Sequence, residues 1–143
     1  MKNLITIILL LLFISCDTAP QPLVVGKDEC YYCKMPVADK KFGAEIITVK
    51  GKLYKFDDMG CMINFLKTEW VVDEKIGSIY TVSFTTNDKL LDLNKSVFLM
   101  SASFRTPMNS GIAAFESRNE VAVFLKEFPG EILTWNQLQQ KLK

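Results

Sequence analysis

Sulfur is the functional element that stands out in this chain. Cys30-Tyr31-Tyr32-Cys33-Lys34-Met35 sets two thiols three positions apart with a thioether just beyond. Met59-Gly60-Cys61-Met62 is a second sulfur-rich stretch, and Met108 lies alone in Thr106-Pro107-Met108-Asn109-Ser110-Gly111. A flexible methionine in a proline- and glycine-flanked loop is better placed for ligation than for core. The paired thiols can close a disulfide, hold zinc, or offer sulfur to a softer ion. Thiolate and thioether ligands select soft ions such as copper(I) over magnesium or calcium. A thioether carries no proton, so Met35 and Met108 would bind without the competition from protonation that cysteine faces. Pro36 stiffens the exit from the first loop and keeps Met35 extended.

The chain contains no histidine, which removes the commonest metal ligand and a common general base together. Structural zinc takes four ligands, so zinc would need a carboxylate or water beside the thiols. No carboxylate pair or nucleophile motif stands out, and the chain reads as a non-enzyme. The alternative is a thiol–disulfide redox protein working through Cys30 and Cys33. Such motifs take their low thiol pKa from a helix N-terminus, whereas Pro36 and the aperiodic stretch 37–44 give no helix after this one. Cys61 and Met62 fall at the start of a helix and suit its core as well as they suit a metal. The helix dipole would favour the thiolate of Cys61. Met100 reads as strand core, and Tyr31, Tyr32, Trp70 and Trp135 as packing residues.

At the N-terminus Lys2 precedes a run from Leu4 to Ile14 that is apolar apart from Thr6, followed by Ser15-Cys16. This run is too short for the ~20 residues of a spanning helix and has the pattern of a secretory signal peptide over residues 1–15. Cys16 directly after the small residue resembles the acylation site of bacterial lipoproteins. Residues 16–27, opening Asp17-Thr-Ala-Pro-Gln-Pro22, then read as a lipid-anchored tether. The expected location is the cell envelope, at the outer membrane facing the periplasm. With Lys2 removed the acidic and basic residues balance, which argues against nucleic acid and against a polybasic membrane patch. With Cys16 acylated, Cys30, Cys33 and Cys61 remain, an odd thiol set for an exported protein.

The elements that must position these sulfurs have an α+β pattern. Residues 44–50 and 52–57, rich in β-branched and aromatic residues around Gly51, predict a strand hairpin. Residues 59–70 repeat apolar side chains at helical spacing, and 78–85 form a further strand. The second half repeats this order: strands at 97–103 and 111–116, a helix at 118–128, a short strand at 131–134 and a helix from Trp135. Phe56, Phe65 and Leu66 fall on Phe115, Phe124 and Leu125 at a constant offset. We therefore expect two similar ββαβ modules, 28–92 and 93–143, joined near 93–96. Neither buries much core alone, so they should pack together.

Cys30–Met35, Phe42-Gly-Ala-Glu-Ile46 and Tyr54-Lys-Phe-Asp-Asp-Met-Gly-Cys-Met62 resemble the first half of NosL-type lipoproteins. Thr106–Phe115 and Glu131–Trp135 resemble the second half, so the likeness runs over residues 28–138. The resemblance implies a NosL/MerB-like fold of two ββαβ modules. It also implies a membrane-anchored copper(I)-binding chaperone that serves maturation of nitrous oxide reductase, with that enzyme or its copper-site assembly machinery as partner. Carried over by position, Cys30, Cys33, Met35 and Met108 become copper ligands, with Cys61 and Met62 as further candidates. Where that family usually has glycine beside each of the two methionines, this chain has Lys34 and Asn109.

Overall fold

The computed structural model describes residues 19–68 and 75–142. Cys16, the signal-peptide segment and Trp70 lie outside the described residues. In chain order the elements are β1 (Ala44–Thr48), β2 (Leu53–Phe56), α1 (Met59–Leu66), β3 (Ile76–Val82) and β4 (Leu90–Asp92). They continue as β5 (Val97–Met100), β6 (Ile112–Phe115), α2 (Arg118–Phe124), β7 (Glu131–Leu133) and α3 (Trp135–Lys141). All strand pairs are antiparallel, in sheets ordered β2-β1-β3-β4 and β6-β5-β7. In each sheet the first strand of a module is central, flanked by the second and third. The expected repeat is thus realised in topology as well as in element order.

Local chemistry accounts for the element ends. Gly51 takes φ +81° in the first hairpin, a backbone conformation that costs glycine little. Asp58, Ser117 and Thr134 cap the three helices, each accepting a backbone N–H from the first turn. Asp58 and Ser117 stand at the same offset as the paired phenylalanines, so the repeat extends to the caps. Helix α2 stops at Phe124, short of the expected Phe128. There the chain tightens, both Glu127 and Phe128 donating to the Phe124 carbonyl before Pro129. Strand β4 has no counterpart among the expected elements: it is three residues long and gains its place by pairing with β3. The expected junction at 93–96 is a 3-10 turn over Leu93–Lys95.

The two modules share one core. Ile46, Tyr54, Phe56, Cys61 and Phe65 pack in the same buried cluster as Phe98, Ile112, Leu133 and Leu138. Equivalent aromatic pairs recur, Phe56–Phe65 at 5.2 Å between centroids and Phe115–Phe124 at 5.5 Å. The modules are also joined by a bridge between Ser83 and Ala114. Part of the expected tether is bound to the first sheet. Leu23 is buried with Val37 and Val82, and the Gln21 N–H donates to the Glu45 carboxylate at 3.0 Å.

Candidate metal centre

The loop after Glu29 is a tight knuckle. The Cys30 N–H donates to the Met35 carbonyl at 2.8 Å, and the Lys34 N–H returns to the Cys30 carbonyl at 2.9 Å. Closing this turn puts Lys34 at φ +62°, in the left-handed region. The Tyr31 N–H donates to the Lys55 carbonyl at 2.8 Å, which fixes the knuckle against the end of β2. Asp57 follows β2 directly, and Asp58 starts α1, so Cys61 arrives in the first turn of that helix. Hairpin and helix thereby deliver their donors to the same place as the knuckle.

The ligand atoms of Cys30, Cys33, Asp57 and Cys61 all lie within 4.8 Å of one another. The three thiols are free, Cys30 and Cys61 buried and Cys33 partly open. Cys33 Sγ stands 3.7 Å from Asp57 Oδ1. Burial pushes the Cys30 thiol up to about 11, with the Asp57 side chain adding to the rise; backbone N–H groups of Cys33, Asp57 and Tyr32 oppose it. Burial also raises the Cys61 thiol, helped by its proximity to Cys30 and Asp57. Removing protons from this cluster would bury several negative charges together, which is costly without a counter-charge. A metal cation would supply that counter-charge, and the amides aimed at Cys30 are already in place for a thiolate.

The structure brings together three of the cysteines singled out in the sequence, including Cys61. Asp57 is the donor that sequence reasoning missed. Its signal was the doubled Asp57-Asp58 ahead of the helix, where one carboxylate is enough for a cap. Met35 and Met108 lie at the surface, 53% and 43% exposed. Met108 and Cys61 both line a cleft of about 240 Å³, together with Tyr32, Gly60 and Ser110. Met62 is wholly buried in the shared core and does not line the cleft; adjacent helix residues point about 100° apart, so Cys61 and Met62 serve different surroundings. Tyr31 packs edge-on against Tyr54 at 4.5 Å and beneath the Lys34 ammonium at 4.1 Å.

Two ββαβ modules around a common core, with three thiols and a carboxylate converging beside the first helix, define the class: an α+β protein whose sulfur cluster suits a soft metal ion. The family model of NosL matches residues 23–143, and the chain belongs to that family. The fold is similar to that of a solved structure, the crystal structure of the copper chaperone NosL from Shewanella denitrificans. That match has a TM-score of 0.74 and 16% identity, covering 87% of this chain and 98% of the other. No curated protein matches the sequence.

Proposed function

We propose that this protein is a copper(I)-binding chaperone, not an enzyme, exported and lipid-anchored through Cys16 to the envelope. On this reading it faces the periplasm from the outer membrane and delivers copper for nitrous oxide reductase maturation. The observation that carries it is the convergence of Cys30, Cys33 and Cys61 with Asp57 within 4.8 Å, in a chain without histidine. Three sulfurs with no imidazole favour a soft monovalent ion. Family membership and the copper chaperone of similar fold support the same assignment. A transfer protein also needs an ion that an incoming ligand can reach, and partly open Cys33 with exposed Met108 leaves that approach.

One observation favours a second reading. Asp57 supplies the carboxylate that zinc would require, so the cluster also offers a four-donor set of the kind zinc takes. For thiol–disulfide exchange the chemistry is less suited, because a thiol pushed up to about 11 is scarcely ionised at neutral pH. Titration of the reduced domain with copper(I) against a chromophoric chelator, repeated with zinc, tests the assignment. We expect one tightly held copper(I), lost by more than about 100-fold in Cys30→Ser and Cys33→Ser. Apparent affinity should rise with pH, about tenfold per unit for each thiol proton displaced. Absence of stoichiometric copper(I) binding, or serine variants that bind as tightly as the parent, would overturn it; preference for zinc would favour the second reading.

A further inference from the structure

We propose that Asp58 is a positioning residue that holds the Met108 loop, and so the thioether, at the mouth of the sulfur cluster. Adjacent carboxylates have separate tasks here. Asp57 joins the thiols, whereas Asp58 is fully buried and divides its two oxygens between the modules. Oδ1 accepts the Gly60 N–H and caps α1; Oδ2 accepts the Met108 N–H at 2.9 Å, from a loop fifty residues away. The loop is seated directly on the helix start. A Cβ at Gly60 would lie 2.9 Å from Ser110 Cβ, closer than such atoms approach, and a tight 3.0 Å from Asp58 Oδ1. The loop's own bonds, Asn109 N–H to the Thr106 carbonyl and Gly111 N–H to the Thr106 hydroxyl, give it shape but do not tie it to the helix. Of these bonds, only that from Asp58 joins the Met108 backbone to the element carrying Cys61. A charge-assisted bond to a buried carboxylate is roughly twice as strong as a neutral one.

The inference rests on the copper(I) reading of the cluster, with Met108 sharing the ion. Asp58→Asn separates capping from clasping. Asparagine caps helices as well as aspartate does, so its oxygen can keep the Gly60 bond. The amide nitrogen then faces the Met108 N–H, and two donors cannot bond. Copper(I) affinity is measured for the parent, Asp58→Asn, Met108→Leu and the double variant, with thermal melting of each apo form. We expect Asp58→Asn to weaken copper(I) about tenfold, and to change it less than about twofold once Met108 is already leucine. Melting should move alike in both backgrounds, since helix stability does not depend on the thioether.

An equal loss of affinity in both backgrounds would make Asp58 structural only, and parent-like binding by Met108→Leu would remove the ligand it is said to position. Either result overturns the proposal while leaving thiol-bound copper(I) intact. A parent that binds no copper(I) refutes the underlying reading instead. If Asp58→Asn does not fold, Asp58→Ser, a good cap with a single acceptor oxygen, is read by the same comparison.

Discussion

Both exposed methionines are neighbours of a residue under the same backbone constraint. Lys34 at φ +62° precedes Met35, and Asn109 at φ +57° follows Met108; among the described residues these are the only non-glycine positions with positive φ. They are also the two positions where the resemblance read from the sequence leads one to expect glycine. Both loops hold a residue with a side chain in the left-handed region and accept its conformational cost. That cost is small for asparagine and larger for lysine, roughly 1–2 kcal/mol. Lys34 regains part of it by lying over the Tyr31 ring, a contact worth about 0.5–1 kcal/mol at an exposed site. Lys34→Gly should accordingly raise stability by about 0.5 kcal/mol, read by denaturant titration of the apo domain. A loss above about 1 kcal/mol would show that the ring contact outweighs the strain. At this scale cysteine chemistry was legible because the residue type alone restricts the options. Asp57 was not, because an aspartate before a helix reads as a cap, and only the structure shows that Asp58 has that task.

Among the elements, β1 is buried throughout, as β6 is, with all five of its residues buried, Glu45 included. Its β-branched run made the strand legible, as did the glycine turn after it. Strand β4 was not legible, since three residues carry no usable alternation and its formation depends on an edge that β3 provides. The bound part of the tether escaped for a related reason. Leu23 is seated where Gly43 has no side chain, a Cβ there standing 2.5 Å from Leu23 Cδ2, and such a fit leaves no periodic trace. Glu45 receives this segment through the Gln21 N–H, yet burial still raises its carboxyl pKa above the ordinary value, against the opposing effects of that bond and of Lys55. A folded-state pKa above the unfolded one means that folding favours the protonated acid. Stability is therefore fullest below the unfolded value and falls as pH rises through the folded one. Glu45→Gln keeps an oxygen for Gln21 and removes the titration. Its melting temperature relative to the parent should climb from pH 4 to pH 7 (about 4 being the ordinary glutamate range). A difference that stays flat or shrinks would mean that the charged carboxylate is well accommodated.

For the molecule as a whole, the repeat was legible because Phe56, Phe65 and Leu66 recur at one spacing in Phe115, Phe124 and Leu125, each set fixing a strand end to a helix. The way the halves meet was not legible, because Phe84, expected inside the strand 78–85, lies past the end of β3 and has no counterpart in that repeat. It follows β3, donates its N–H to the Ala114 carbonyl at 2.8 Å, and sets its ring among five others. Its centroid lies 5.7 Å from Phe42, 5.2 Å from Phe104, 5.3 Å from Phe115, 5.4 Å from Phe124 and 6.0 Å from Phe128. Four of those rings belong to the second module, so Phe84, together with Phe42, carries the first module into its partner's aromatic cluster. Removing it should act on both modules at once. Phe84→Ala deletes a ring from a packed cluster that cannot fully collapse, at a cost of about 3 kcal/mol. That corresponds to a fall in melting temperature of about 10 °C for a domain of this size. Calorimetry should record a single transition before and after the substitution, because the larger core already joins residues of both halves. Two separated transitions in the parent would show that the modules unfold independently. A single transition in the parent that splits in Phe84→Ala would make this ring, rather than the shared core, the source of cooperativity between them. The proposed copper site would depend on the same coupling: its thiols and Asp57 come from the first module, while Met108, on the cleft beside Cys61, comes from the second.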